Sequence, residues 1–256
     1  MKTRKHLFAE MNREELRRAA RTSTVVLPVG ATEQHGPHLP TGTDYFTVEH
    51  VSREAARVAS AEIPIVVTPA LPFGSSDHHF LYGGTLSLST ETYLRVMREL
   101  VHSLVRDGFK RIFVVNGHGG NHEVIQLAAR DIALNHRARV AAGSYWNIAW
   151  DALIEAGANL GCRLPGHAGI FETSMMMALR GDLIPAKRPG RKGEFHTDPR
   201  SFHAPYRHEK HGFWKSIDGY TDSPDRATEE FGRRCQEAIV GALAKAFIEF
   251  HRAEPA

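Results

Sequence analysis

The sequence is short of cysteine, has no long hydrophobic run and carries little excess of either charge. Only Cys162 and Cys235 are cysteines among 256 residues. Two are too few for a disulfide-rich secreted fold, and they favour a reduced, cytoplasmic protein. No stretch approaches the roughly 18 apolar residues of a membrane span. The basic N-terminus also lacks the apolar segment of a signal peptide, so we expect no membrane partner.

The charges are balanced, with 32 basic and 29 acidic residues and a formal net charge of +3. They are mixed along the chain without a basic stripe, so we expect no nucleic-acid partner. Histidine, by contrast, is abundant, with 16 residues. Several of these histidines lie in loops beside glycine, proline or acidic residues, where metal sites and catalytic groups often occur.

Short β-branched runs alternate with longer segments of helical period. The predicted strands are 24–30, 65–71, 111–117 and 139–146. The predicted helices are about 12–21, 45–60, 90–107, 121–136, 171–179 and 224–251. This alternation predicts an α/β fold, a three-layer α/β/α sandwich around a mostly parallel sheet. We expect one domain over 1–256, with its core at about 22–180 and 224–251. Residues 181–223 are predicted to be an irregular excursion or an oligomer contact.

Two loops that follow predicted strands are rich in metal-binding types of side chain. The first, ATEQHGPHLPTGTD, contains Glu33, His35 and Asp44, and the second, NGHGGNH, contains His118. Parallel sheets bind ligands beyond the carboxyl ends of their strands. Asp44 falls at a predicted helix start, where the helix dipole favours a carboxylate. Carboxylate and imidazole ligands without a thiolate cluster suit Zn, Mn or Fe.

Each motif also has a simpler interpretation when it is taken alone. The polar side chains of the first loop could be solvated or hydrogen-bonded, and NGHGGN could be a glycine-rich anion site at a helix start. The second loop lacks the dinucleotide glycine spacing and the P-loop lysine, however. His38 and His122 are interpreted as structural, and residues 175–177 (three methionines) as core packing. In GHAGIFETS, His167 and Glu172 flank a predicted helix start, which could be a plain helix cap.

Several segments together resemble the creatininase (creatinine amidohydrolase) family. They are LPVGATEQHGPHLPTGTD, the PFG…GGTLSLS loop, VVNGHGGN, GHAGIFETS and TDSPDRATEEFGRR. These segments run in family order from about residue 24 to residue 234, and EQHGPHLP with NGHGGN is a specific combination. The resemblance implies a three-layer α/β/α fold, a site for two divalent metal ions, and a homo-oligomer, commonly a hexamer.

The resemblance also implies metal ligands by position. They are Glu33, His35, Asp44, His118 and Glu172. Asp44 would bridge the two ions, with Glu33 and His118 on one ion and His35 on the other. Creatinine-hydrolysing members have a further carboxylate two residues after the counterpart of His118. This chain has Gly120 there, so Glu172 is assigned as the replacement, and creatinine is not the expected substrate.

The expected activity is metal-dependent hydrolysis of a C–N bond in a small or cyclic amide, through a hydroxide that bridges the metals. His167 is the candidate that protonates the leaving nitrogen. Backbone N–H groups of Gly119 and Gly120 are candidates for stabilising the oxyanion. Substrate contacts are also expected from His78 and Trp146, although core packing is an equal alternative for Trp146.

The substrate wall is predicted to include the loop with Ser75, Asp77 and His79. Alternatives within the family are a deformylase, a small-peptide peptidase and a cyclic-ketone hydrolase. A non-catalytic protein that uses metal to bind a small ligand is the alternative from another class. Such a protein would be expected to have lost Glu33, Asp44 or His167, and all three are present.

Overall fold

A parallel sheet forms the centre of the molecule. The computed structural model describes residues 5–200 and 210–253. The strands are β1 (Thr24–Val29), β2 (Ile65–Val67), β3 (Arg111–Asn116) and β4 (Arg139–Ser144). They lie in the order β2-β1-β3-β4, and every neighbouring pair is parallel. The predicted parallel sheet is therefore confirmed.

Helices cover both faces of this sheet. In chain order they are α1 (Arg13–Ala19), α2 (Thr43–Ala59), α3 (Thr90–Arg106), α4 (His122–Asn135), α5 (Tyr145–Ile148), α6 (Trp150–Glu155), α7 (Ile170–Arg180), α8 (Phe213–Ser216) and α9 (Glu229–Arg252). Val25 and Ile112 pack with α3 and α4 in one core cluster. Val26 and Phe113 pack with α2 and α9 in another. Burial of each such side chain contributes roughly 1.5–3 kcal/mol. The predicted α/β/α layering is confirmed.

All four predicted strands end earlier in the structure, β1 and β3 by one residue and β2 and β4 by more. The sequence predicts that β2 continues to Leu71, but the ladder breaks after Val67. Thr68 N–H donates to the Val26 carbonyl oxygen, and the next donor to β1 is Leu71 N–H instead of residue 70. One extra residue is thus accommodated between the strands, as in a bulge. β4 stops where Tyr145 begins α5, so Trp146 lies on a helix.

Helix starts follow the capping side chains. Asn12 and Glu15 form the predicted capping box at the start of α1. The last helix begins later than expected, because residues Pro224–Arg226 form a separate 3-10 turn. Thr228 Oγ1 then accepts a hydrogen bond from Phe231 N–H and caps α9.

The segment 181–223 follows an irregular course where it is described, with a 3-10 turn at Gly181–Leu183 and α8. Its residues 201–209 lie outside the described part, as do 1–4 and 254–256 of the expected domain. Arg191 stacks 4.0 Å over the Tyr220 ring and donates to the Tyr220 carbonyl oxygen. The single-domain division stays a prediction. Among the described helices, none is long and apolar enough to cross a membrane.

The connections create a crevice at one edge of the sheet. α2 follows β1 and packs on one face, whereas α4 follows β3 and packs on the other. β1 and β3 are neighbours, but the chain leaves them towards opposite faces of the sheet. The loops after them therefore diverge and leave a crevice at the edge where the carboxyl ends of the strands lie. Open parallel sheets bind ligands at such a point, and both motif loops open into it.

Candidate metal centre

The five predicted metal ligands lie together in this crevice, and we call them the ligand cluster: Glu33, His35, Asp44, His118 and Glu172. Each is at most 8% exposed. Glycine lets α2 approach the ends of both strands. A Cβ on Gly30 would lie 2.8 Å from Tyr45 Cα, and one on Gly117 would lie 2.7 Å from Val48 Cβ. This close approach brings Asp44, in the first turn of α2, beneath both loops.

Asp44 stands at the centre of the cluster. Its Oδ1 lies 3.1 Å from His35 Nε2, and its Oδ2 lies 3.0 Å from His118 Nδ1. Each oxygen of one carboxylate thus faces a different imidazole nitrogen. Two neighbouring ions could therefore share this carboxylate.

Glu33 and His118 form one side of the cluster. Glu33 Oε1 lies 3.3 Å from His118 Nδ1. On the other side of the ring, His118 Nε2 lies 3.1 Å from the carbonyl oxygen of Ser75. A carbonyl only accepts, so the ring proton lies on Nε2. When the ring is neutral, the lone pair of Nδ1 therefore points at Glu33 and Asp44, as metal binding requires.

His35 and Glu172 form the other side. His35 Nδ1–H donates to the Glu33 carbonyl oxygen at 3.2 Å, which leaves the Nε2 lone pair directed into the cluster. Glu172 Oε2 lies 3.7 Å from this nitrogen. Glu172 sits in the first turn of α7, and its Oε2 also accepts from Ala168 N–H at 2.5 Å.

Gly120 leaves no room for a side chain in this conformation. A Cβ there would collide with the Ser75 carbonyl oxygen and would lie 2.6 Å from His118 Nε2. A carboxylate at position 120 would therefore require its surroundings to move. Glu172 reaches His35 from α7 instead, in the role that the family resemblance implies for it.

The buried oxygen and nitrogen atoms of the cluster are better suited to binding a metal ion than to hydrogen-bonding one another. With His35 and His118 neutral, Glu33 Oε1, Glu33 Oε2, His35 Nε2 and Asp44 Oδ2 are buried without a hydrogen-bond partner in the described part of the chain. Buried polar atoms are normally satisfied, and leaving one unpaired costs about 1–3 kcal/mol. Glu33, His35 and Asp44 each offer a ligand atom within 4.8 Å of the others. Divalent metal ions would satisfy all these atoms.

The buried histidines divide into two classes by their pKa. Burial disfavours the charged form of His35, but the Asp44 and Glu172 carboxylates outweigh it and raise the pKa of His35 to about 10. The pKa of His118 is likewise raised by Glu33 and Asp44 against the effect of burial. Burial dominates for His79 and lowers its pKa to about 3. The carboxylates therefore attract positive charge to His35 and His118, the side where ions would bind.

His167 lies at the edge of the cluster. Its Nδ1 is 3.7 Å from Glu33 Oε1, and its Nε2 is 3.0 Å from the Gln34 carbonyl oxygen. Burial holds the pKa of His167 well below its usual range. The backbone N–H of His167 donates to Thr221 Oγ1 at 3.0 Å, and Thr221 N–H donates back to the His167 carbonyl oxygen. Next to it, Asp222 accepts from Ile170 N–H at 2.6 Å.

The TDSP motif thus clamps the loop that carries His167, a role that the sequence did not reveal. His38 and His122 have the structural partners expected of them. His38 Nε2 bonds Thr173 Oγ1 at 2.9 Å, and His122 Nδ1 bonds Ser144 Oγ at 2.8 Å.

A cavity of about 340 Å³ opens above the cluster. The predicted substrate-binding residues His78, Gly119, Gly120 and Trp146 all line it, as do Ser75 and His79. Asp77 is not among the lining residues, because its Oδ1 accepts from Ser87 Oγ at 2.6 Å. Trp146 is 8% exposed, so it lines the cavity and also packs in the core cluster, and its contact with substrate stays a prediction.

Trp214 also lines the cavity, and sequence reasoning missed it. Its ring centroid lies 4.6 Å from that of His79, 4.9 Å from that of His167 and 5.8 Å from that of His78. We call His78, His79, Trp146 and Trp214 the aromatic wall. Trp214 lies on α8 within the irregular segment, where no hydrophobic period or motif marks it.

Fold and cluster together define a class: an α/β protein with a buried histidine–carboxylate centre at the carboxyl edge of a parallel sheet. The family model described as "Creatininase: Creatinine amidohydrolase" matches residues 9–247. The chain belongs to the creatininase family, which confirms the resemblance drawn from the motifs.

Individual relatives agree with this membership. The chain is similar to a creatinine amidohydrolase of Pseudomonas putida, with 34% identity over 68% of this chain and 71% of that protein. It is also similar to a mycofactocin precursor peptide peptidase of Mycobacterium tuberculosis, with 33% identity over 61% of this chain. That match spans 58% of the peptidase, less than two thirds of its length.

Among solved structures, a mutant creatininase of the Zn-Zn type superposes with a TM-score of 0.73. Its sequence identity is 27%, and the match covers 97% of this chain and 100% of that chain. The likeness therefore extends across nearly the whole fold, the crevice included.

Proposed function

We propose that this chain is a metal-dependent hydrolase that cleaves a C–N bond in a small amide. Family membership supports this reaction class. The single structural observation that carries the proposal is Asp44, whose two carboxylate oxygens face His35 and His118 separately. A protein that only needed to bury these side chains would gain nothing from leaving their donor atoms unpaired.

Two divalent ions are proposed. Glu33, Asp44 and His118 would hold one, and His35, Asp44 and Glu172 the other. Ions bound there would lower the pKa of a bound water molecule and polarise the carbonyl of the substrate. The solved Zn-Zn creatininase supports zinc, and the same ligands also accept Mn or Fe.

The other residues of the site handle protons and charge. The neutral ring of His167 accepts a proton at Nδ1, which faces the cluster, and passes it to the leaving nitrogen. The Gln34 carbonyl oxygen holds the opposite ring nitrogen at 3.0 Å and keeps the ring in this orientation. Gly119 and Gly120 line the same cavity. Their N–H groups are proposed to stabilise the oxyanion.

The test is a hydrolysis screen on metal-reconstituted protein, with lactams, formamides, short peptides and cyclic ketones. His118→Ala is expected to lose metal and activity together. His102→Ala, on α3 outside the crevice, serves as the matched histidine control and is expected to keep both. Full activity in a verified metal-free sample would contradict the proposal. Metal binding without turnover of any substrate class would favour the non-catalytic binding protein.

A small-peptide peptidase is the second candidate. The 33% identity with the mycobacterial peptidase favours it. The lack of room for a side chain at Gly120 argues against creatinine, because creatinine-hydrolysing members have a carboxylate at that position. Faster hydrolysis of short peptides than of lactams and formamides in the screen would select this candidate.

A cytoplasmic location and a homo-oligomer are also proposed. The two cysteines, Cys162 and Cys235, are both buried and free, in keeping with a reducing compartment. Light scattering on the purified protein is expected to give the mass of a hexamer. A monomer at micromolar concentration would contradict the oligomer proposal.

A further inference from the structure

The side chain of Gln34 lies between the ligand cluster and the aromatic wall and is 5% exposed. Gly36 N–H donates to its Oε1 at 2.9 Å. Its Nε2 lies 2.7 Å from His79 Nδ1 and 3.1 Å from His167 Nε2. The same nitrogen lies 3.4 Å from the carbonyl oxygen of Gly219. One buried amide thus contacts His79 and His167, two histidines that face Glu33.

These contacts determine which atom of the Gln34 amide, the oxygen or the nitrogen, faces each neighbour. Rotating it by 180° would place the NH₂ group against Gly36 N–H and the oxygen against the Gly219 carbonyl oxygen. Two favourable contacts would become two repulsive ones, because an N–H cannot accept and a carbonyl cannot donate. Only the contact with His167 Nε2, whose proton points at the Gln34 carbonyl oxygen, would gain from the rotation. The amide nitrogen of Gln34 therefore faces His79.

The orientation of the amide decides the tautomer of His79. An amide nitrogen only donates, so His79 Nδ1 must accept and the ring proton lies on Nε2. That Nε2 lies 3.4 Å from Glu33 Oε1. His79 thus presents an N–H group to the carboxylate, and a protonated ring nitrogen has no lone pair for a metal.

Without this constraint His79 would compete for the metal. Glu33, His79 and His167 each offer a ligand atom within 4.8 Å of the others, a grouping that shares only Glu33 with the one around Asp44. If Nε2 of His79 carried no proton, His79 and His167 could both bind an ion beside Glu33, on the side that faces the aromatic wall.

We propose that Gln34 is a positioning residue whose amide fixes the tautomer of His79, so that the Nε2–H of His79 faces Glu33 and His79 is withheld from metal binding. The inference rests on the proposed metal centre. Groups that hydrogen-bond to metal ligands orient them, and their loss typically costs 10- to 100-fold in metal affinity or activity.

The direct test is the tautomer of His79 in metal-free, wild-type protein labelled with ¹⁵N-histidine. Two-bond ¹H–¹⁵N spectra distinguish the tautomers, and His79→Gln identifies the signals by their disappearance. The expected result is a His79 ring protonated on Nε2. Protonation on Nδ1 would overturn the inference. The measurement needs neither metal nor activity, so failure of the proposed function would not decide it.

The variant Gln34→Glu sharpens this test. It keeps the size of the side chain and the acceptor for Gly36 N–H, but it faces His79 Nδ1 with an acceptor. The His79 proton is expected to move to Nδ1, and zinc affinity is expected to change by roughly tenfold or more. Gln126→Glu is the matched control, because Gln126 Nε2 contacts His122 Nε2 at 3.1 Å on the exposed face of α4.

Gln126→Glu is expected to leave zinc affinity unchanged. An unchanged His79 tautomer and unchanged zinc affinity in Gln34→Glu would overturn the inference. If this variant does not fold, the wild-type spectrum alone decides. Wild-type protein that binds no zinc would overturn the metal centre instead, and the spectrum would still report on His79.

Discussion

The ligand cluster and the aromatic wall face each other across one cavity but are built in different ways. The ligand cluster lies on loops anchored to the ends of β1 and β3 and on the first turns of α2 and α7, and it is buried. The wall is carried by a 3-10 turn (Asp77–His79) and by the short helices α5 and α8, and Trp214 on α8 is partly exposed. Sites on regular elements hold their geometry more tightly than sites on loops.

This difference separates two tasks. The sheet and its first helical turns set the positions of the atoms that would hold metal, and the histidines among them have raised pKa values. The wall side contributes rings whose pKa values are lowered by burial, as for His79 and the adjoining His167. We therefore expect changes in the cluster to abolish chemistry, and changes in the wall to alter substrate binding.

The largest effect is expected from Asp44→Asn. The oxygen of the asparagine amide can bind a metal ion, but its nitrogen cannot. The carboxylate bridge between the two ions would therefore be lost. Metal centres contribute several kcal/mol to catalysis, so activity should fall on the order of 10³-fold or more. Metal content per subunit, measured by mass spectrometry, should fall in parallel. Retention of two ions would remove Asp44 from the central position assigned to it.

His167→Gln is expected to lower kcat roughly 10²-fold or more while metal content stays unchanged, because general acid–base groups contribute 10²- to 10⁴-fold. Steady-state kinetics and metal analysis on the same preparation check this. Loss of metal together with activity would instead place His167 among the ligands, next to His35 and Glu172.

Metal binding should become tighter as the pH rises from 6 to 8. In metal-free protein the raised pKa of His35, about 10, and of Glu172, about 8, keep protons on the cluster in this range. An ion must displace these protons, so affinity rises about tenfold per pH unit for each proton released. Titration of zinc at several pH values measures the slope.

The wall side supplies the control for that slope. His79 and His167 have lowered pKa values and hold no additional proton to release. The His167→Gln variant should therefore show the same pH slope as the wild type. A slope of zero in the wild type would mean that the cluster binds zinc without displacing protons, which would contradict the raised pKa values of His35 and Glu172.

The smallest effect is expected from Trp214→Ala. Aromatic contacts contribute about 0.5–1.5 kcal/mol beyond burial, so KM should rise roughly two- to tenfold with metal content and kcat little changed. Trp214→Phe should keep most of the binding. Phe213→Ala is the matched control, since the neighbouring ring is 36% exposed and is not among the residues that line the cavity. A loss confined to kcat would contradict a substrate-binding role.

The ligand cluster could be predicted from the sequence because its members lie shortly after strands or at helix starts. The end of a strand places Glu33 and His118 at one edge of a parallel sheet, and the start of α2 places Asp44 between them. Glu172 could be assigned because Gly120 left one carboxylate missing by comparison with the family. Each of these inferences uses local chain order, the strand–helix alternation and the family resemblance.

One residue of the wall, Trp214, could not be predicted in the same way as His78, His79 and Trp146. Trp214 lies far along the chain from both motif loops, in a segment without helical or strand period, so no local rule brings it to the cavity. Thr221 and Asp222 stand in a recognised motif, but their hydrogen bonds to the His167 loop depend on a tertiary contact. The role of Gln34 likewise depends on which ring nitrogen its amide meets.

One carboxylate, Asp44, shared by two ions is the central feature of the proposed metal centre. Anomalous diffraction at the zinc edge, from crystals of zinc-loaded protein, tests it most directly. We expect two peaks on either side of Asp44, one in contact with Glu33 and His118 and the other with His35 and Glu172. A single peak, or a second peak that does not touch Glu172, would contradict the proposed centre.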